Sequence, residues 1–189
     1  LYQDLGGTAG GGADIVITAD GTVYVFWVQQ TGAEPNATVR AYYAWVTANG
    51  NAWSAPSTFG NPFYSGHERG SGNPLRTNSA SAGDYFIDNI IPRAVLANGH
   101  IYFVYADLPF RGSTIDRGDI FLLEGTIDPN THTLTPAGPR RVNNDSTLTD
   151  QWNPSIAVNS AGTEIFIGYY SRQNDANNSL IMAYAARAN

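Results

Sequence analysis

One phrase recurs three times along this chain and limits what it can fold into: alternating residues, a turn ending in glycine, then a run of β-branched and aromatic side chains. The copies are Asp14-Ile-Val-Ile-Thr-Ala-Asp-Gly-Thr-Val-Tyr-Val-Phe-Trp27, Pro92-Arg-Ala-Val-Leu-Ala-Asn-Gly-His-Ile-Tyr-Phe-Val-Tyr105 and Pro154-Ser-Ile-Ala-Val-Asn-Ser-Ala-Gly-Thr-Glu-Ile-Phe-Ile-Gly-Tyr-Tyr170. Gly21, Gly99 and Gly162 align, each placed where a tight reversal needs positive φ. A lone hairpin cannot bury its apolar face, so a repeated one argues for a supersecondary unit used several times and packed against itself.

The 189 residues suffice for a sizeable core, and no apolar run approaches the length of a membrane span. All ten basic residues are arginine and the net charge is −6, which argues against non-specific nucleic-acid binding. Aromatic residues reach 12% and there are 20 glycines, a balance that suits many short strands and turns. Cysteine is absent, which excludes disulfides and thiolate catalysis and leaves the compartment unread from redox chemistry. The chain opens at Leu1 with neither an initiator Met nor a signal peptide, which a processed secreted protein and an excised piece of a longer chain would both explain.

In chain order, Leu1–Leu5 is a short strand, followed by a flexible loop over Gly6–Gly12. The first unit places strands at Asp14–Thr18, Thr22–Gln29, Val39–Val46 and near Ser54–Phe59. Four antiparallel strands in about 45 residues is the size of one propeller blade. Gly60–Asn89 is a long segment dense in Gly, Ser, Asn and Pro, and loops of that length tend to be functional or disordered. The second unit has strands near Pro92–Leu96, His100–Tyr105, Asp119–Glu124 and Gly138–Val142. The third has Ser155–Val158, Ile165–Tyr170 and Ser179–Ala185, with no fourth. The expected fold is therefore all-β, a single propeller region over 1–189 with four-stranded antiparallel blades near 14–59, 90–142 and 154–189, and with 1–5 as an unpaired strand. Three blades do not close a ring of four to eight. The rest is expected from missing chain, a companion chain or another copy, for instance two copies forming six blades.

The stretch Arg141-Val-Asn-Asn-Asp-Ser-Thr-Leu-Thr-Asp-Gln-Trp-Asn-Pro-Ser-Ile-Ala-Val158 and the hairpin after it resemble the repeats of sialidase-like propeller proteins, the BNR-repeat or Asp-box family. That family's signature turn, Ser/Thr-x-Asp-x-Gly-x-x-Trp, is matched in degenerate form by Thr47, Asn49, Gly50 and Trp53, and again by Thr126, Asp128, Asn130 and Leu134. The resemblance implies an Asp side chain holding backbone amides in the turn, with the aromatic residue packed inward. It speaks to fold more than to activity.

Antiparallel blades sort the connections onto two faces, and one face collects Gly60–Asn89, Ala106–Gly118, Asn143–Asn153 and Ser171–Asn178. Six of the ten arginines fall in or beside these segments: Arg69, Arg76, Arg93, Arg111, Arg117 and Arg172. The resemblance implies that substrate would lie on this face, with arginines on a sugar carboxylate, a tyrosine nucleophile and an acid. The arginine fork suits a carboxylate, which it grips in two places. The ligand-binding candidates are Arg93, Arg111, Arg172, Asp107, Glu68 and Tyr169. Asp84 and Asp116 are further acids and Tyr170 a further tyrosine, but no residue stands in a recognisable catalytic phrase, and the family's Phe-Arg-Ile-Pro signature is missing. Asn143, Asn144, Asp145 and Asp150 offer oxygen ligands without the spacing of a calcium loop, and no metal or cofactor is expected.

The function expected is an extracellular or cell-surface carbohydrate-interacting module that binds a glycan through the inter-blade loop face. The alternatives are a sialidase-like glycoside hydrolase or polysaccharide lyase active only as a complete propeller, and a structural subunit of a larger surface assembly. Whether the protein is an enzyme stays open at this level.

Overall fold

The computed structural model describes residues 10–31, 38–63, 92–107, 118–147, 149–175 and 180–188. The expected strand Leu1–Leu5 and most of the long Gly60–Asn89 segment lie outside the described residues. Among those described, every regular element is a strand, and no helix is long and apolar enough to cross a membrane.

The strands form three antiparallel sheets in chain order. The first comprises β1 (Gly10–Ile17), β2 (Val23–Thr31), β3 (Thr38–Val46) and β4 (Ser57–Phe63). The second comprises β5 (Arg93–Ala97), β6 (His100–Asp107), β7 (Asp119–Ile127) and β8 (Leu134–Arg141). The third has three strands, β9 (Gln151–Val158), β10 (Ile165–Ser171) and β11 (Met182–Ala188). Each strand pairs with its neighbours in sequence, and no sheet closes on itself.

The recurring turns form as their residues dictate. Gly21, Gly99 and Gly162 have φ of 83°, 76° and 72°. Asn98 shares the left-handed region at 48°, so Asn98-Gly99 makes a two-residue turn with both central residues at positive φ, and Ala97 pairs directly with His100. Several boundaries differ from expectation. β1 begins at Gly10, because a bulge between Gly11 and Ala13 lets the glycine run join the ladder, with Gly12 at φ 49°. β8 starts four residues earlier than expected, at Leu134, and runs through Pro136 and Pro139. It is an edge strand, where a missing N–H can face away from the ladder.

Packing explains the side-chain alternation. β6 is buried on both sides along nearly its whole length, whereas β10 buries only alternate residues. The second sheet therefore lies between the other two. One of its faces meets the first sheet through Tyr24, Phe26, Tyr43, Phe59 and Phe103. The Phe26, Phe59 and Phe103 rings lie 5.7–6.0 Å apart, within the range of favourable offset and edge contacts. The other face meets the third sheet through Tyr102, Val104, Leu122, Ile165 and Ile167. First strands lie beside first strands: β1 against β5, and β5 against β9. Asp14 of β1 uses this adjacency, its carboxylate accepting the Ala94 N–H of β5 at 2.9 Å.

Gly125 marks the tightest point of the first core. A Cβ there would stand 2.5 Å from Phe59 Cε2 and 2.7 Å from Cζ, against a ring held between Phe26 and Phe103. Gly125→Ala is expected to lower stability by about 1–3 kcal/mol, as overpacking does. Gly138→Ala, with nothing within 4 Å of its Cβ, should change little. The urea unfolding midpoints of the two variants check the contrast.

Candidate functional site

Antiparallel order sends the tight turns of every sheet to one end and the longer connections to the other. Contacts between sheets show that like ends gather. At the turn end Tyr24 Oη donates to the His132 carbonyl at 3.1 Å and Tyr102 Oη to that of Gly162 at 3.4 Å. At the loop end Gln151 N donates to the Gly118 carbonyl at 2.6 Å, and Asn143 Nδ2 to Gln151 Oε1 at 2.9 Å.

A cavity of about 320 Å³ opens at the loop end, beside the third sheet. Arg93 enters it from the start of β5, Asn153 and Ser155 from β9, Tyr169 and Tyr170 from β10, and Tyr184 from β11. A bulge shapes this wall: Gly168 pairs with Ser155 but Tyr170 pairs with Trp152, so Asn153 and Pro154 together face Tyr169. Pro154 has no N–H for the ladder, and Asn153 takes φ of 51°, a value its short polar side chain tolerates. Bulges often re-aim side chains next to functional sites.

The tyrosines are ordered by stacking. Tyr169 and Tyr184 lie nearly parallel with centroids 6.1 Å apart, and Tyr170 leans on Trp152 at 6.0 Å. Burial, then the nearby Asp145 carboxylate, pushes the Tyr169 phenol above its usual range, so it stays protonated at neutral pH. That is the opposite of the shift an activated nucleophile shows. Arg93 is exposed, and among the described residues no ion pair engages it.

A buried polar wall stands between the second and third sheets at this end. Arg172 and Asp150 are both fully buried, with Arg172 Nη1 3.0 Å from Asp150 Oδ2 and the guanidinium 5.0 Å from the centre of the Trp152 ring. Asn143 Nδ2 lies 2.5 Å from Asp119 Oδ1, 2.7 Å from Asp145 Oδ1 and 2.9 Å from Gln151 Oε1. Two amide hydrogens are thus shared among three acceptors. Burial pushes the Asp119 carboxyl above its usual range, outweighing the lowering effects of Asn143 and of Arg141, whose Nη2 is 2.7 Å away.

Of the residues singled out in the sequence, Arg93 and Tyr169 come together in one cavity. Arg172, another ligand-binding candidate, is fully buried against Asp150 and Trp152 and does not line the cavity. Asp107 ends β6 opposite Asp119 and does not line the cavity. Glu68 and Arg111, with Asp84 and Asp116, lie outside the described residues. Asn143, Asp145 and Asp150 spend their polar atoms on protein partners, and among the described residues no three His, Asp or Glu side chains come together as a metal site. Sequence reasoning missed Tyr184, Asn153 and Ser155. The Asn-Pro pair at 153–154 was the available signal for a bulge.

Fold and site together define an all-β protein of three stacked antiparallel sheets, with an arginine and tyrosine-lined cavity at its loop end. No protein-family model matches the chain, and a comparison with curated proteins gives no match.

The buried Arg172–Asp150 pair supports the cavity from behind through Trp152. Replacing one member strands a charge, so Asp150→Leu is expected to cost about 3–5 kcal/mol, and adding Arg172→Met should recover part of the loss. Chemical denaturation of the two variants measures both values.

Proposed function

We propose that this protein is a sialidase-like propeller module that holds carbohydrate at its loop-bearing end. The observation that carries the reading is the convergence of Arg93 with Tyr169, Tyr170 and Tyr184 in one loop-end cavity. Sugars offer apolar ring faces to aromatic side chains and hydroxyls to small polar groups, and Asn153 and Ser155 supply the latter beside the rings. An exposed guanidinium adds a bidentate partner for a sugar carboxylate. The propeller reading is supported by the side-by-side first strands and by the 128–134 turn. There Asp128 Oδ1 accepts the N–H groups of Asn130 and Thr131 at 2.8 and 3.2 Å while Leu134 is buried. We favour binding over catalysis because Arg141 and Arg172 are committed to Asp119 and Asp150, and because the Tyr169 phenol is held protonated.

Titration of the intact chain with a panel of carboxylated and neutral oligosaccharides tests this. A carboxylated glycan should bind, and Arg93→Ala should weaken it by roughly 1.5–3 kcal/mol, the worth of a charge-assisted hydrogen bond. Neutral glycans should be nearly indifferent to that change. A panel without binding, or an Arg93→Ala variant that binds acidic glycans unchanged, would count against the reading.

A ring needs more sheets than these three, and each outer face exposes large apolar side chains. Ile15 and Ile17 are exposed on the first sheet, and Phe166 on the third. Another copy or a companion chain is proposed to cover them. Native mass measurement should find the 20.3 kDa chain in a larger assembly, and Ile17→Asp should shift it toward the monomer without unfolding it. A monomer at every concentration would remove the assembly reading.

A further inference from the structure

The turn end, opposite the proposed glycan cavity, holds a larger space that the carbohydrate reading does not use. Its volume is about 720 Å³, within the range of small-molecule sites. All three sheets contribute: Thr18–Asp20 from the β1–β2 turn, Leu96–Gly99 from the β5–β6 turn, Pro129 and His132 from the β7–β8 turn, and Ser160 from the β9–β10 turn. Tyr24, Leu96, Ile127 and Pro129 make its walls apolar.

Fixed chemistry sits at its rim. Asp20 accepts from Thr18 Oγ1, from Thr22 N at 3.1 Å and from Thr22 Oγ1 at 3.1 Å. A carboxylate has about four acceptor positions, so one remains for a ligand. The Thr18 hydroxyl first, then the Thr22 N–H, hold the Asp20 carboxyl below its usual range and keep it ionised. The walls are equally fixed, since Tyr24 Oη is tied to the His132 carbonyl and the His132 ring lies on Trp45 with centroids 4.6 Å apart. Asp128, in the turn that carries His132, adds a second negative charge nearby, and the chain as a whole is at −6.

We propose that this turn-end cavity binds a small amphiphilic organic cation, its flat apolar body against Tyr24, Leu96, Ile127 and Pro129 and its ammonium on Asp20. An apolar pocket with one oriented charged group at the rim sets both orientation and sign: the ring supplies buried area and the carboxylate rejects anions of the same shape. The site is distinct from the Arg93 cavity, whose single charge is positive and which lies at the other end of the strands.

The test uses tryptamine and indole-3-acetate, which share a ring and differ in charge, titrated into the intact chain and followed by calorimetry or amide chemical shifts. Tryptamine should bind and move the amides of residues 18–22, 96–99 and 127–132, while indole-3-acetate should not. Asp20→Asn should weaken tryptamine about fivefold, the effect of losing one exposed ion pair. Ser160→Trp, a change at an exposed turn residue, should block the cavity without touching the core. Arg93→Ala should leave tryptamine binding intact, which separates this site from the glycan cavity. Absence of tryptamine binding, equal binding of the two indoles, or full affinity in a folded Asp20→Asn or Ser160→Trp variant would overturn the proposal. Should Asp20→Asn fail to fold, Ser160→Trp and the charge comparison decide alone.

Discussion

The structure depends on the burial of the second sheet on both of its faces. β6 carries Ile101, Phe103 and Tyr105 toward the first sheet and Tyr102, Val104 and Ala106 toward the third, all of them buried. A strand of this kind has no side for water, so neither outer sheet can leave without exposing a row of large side chains worth about 1.5–3 kcal/mol each. The chain has no cysteine for a disulfide, and among the described residues no three His, Asp or Glu side chains come together as a metal site. The relative placement of the sheets, and with it the meeting of loops that belong to different sheets, therefore rests on two aromatic and aliphatic cores.

Apolar contact is not directional, and polar groups at the loop end supply the direction. Asn143 joins the edge of the second sheet to Gln151 of the third, and the Gln151 N–H reaches back to the Gly118 carbonyl of the second. Each of these groups would be costly to bury alone, so a sliding of one sheet over the other would strand several at once. The same network backs the wall from which Tyr169 and Tyr170 project. At the opposite end two tyrosine hydroxyls perform the equivalent service, Tyr24 on the His132 carbonyl and Tyr102 on that of Gly162.

Much of the fold was legible because the turn residues impose it. The three aligned glycines take positive φ, and β2 and β10, which follow two of them, alternate in burial as their sequences do. Strand ends were less legible: prolines in β8 argue against a strand unless one knows that it lies at an edge, and the glycines before β1 look like a loop until a bulge admits them. At the site, chain polarity sufficed to put Arg93 and Tyr169 at the same end. Tyr184 escaped notice because it reaches the cavity only through its pairing with Tyr169. Nothing local to Arg172 distinguishes a buried ion pair from a solvated loop charge, since its partner is set by the return of β10 beside β9. The turn-end cavity is less legible still, being a property of how four turns are spaced and of no one of them.

The stacking also has a sense. Counting from the turn glycine, the first sheet meets the second with its third and fifth residues, Tyr24 and Phe26, and the second meets the third with the same positions, Tyr102 and Val104. The receiving faces correspond too: Phe103 and Tyr105 on the second sheet, and Ile167 and Tyr169, one residue later, on the third. The sheets are thus joined head to tail, and the faces left open are a receiving face on the first sheet, with Ile15 and Ile17, and a donating face on the third, with Phe166. A head-to-tail series has no internal stop. It ends only by returning on itself or by continuing, because any finite row leaves one face of each kind in water. In a two-layer sandwich the open faces would instead be the solvated sides of alternating strands, polar at every second residue. The exposed Ile15, Ile17 and Phe166 are the side chains that the proposed ring would cover.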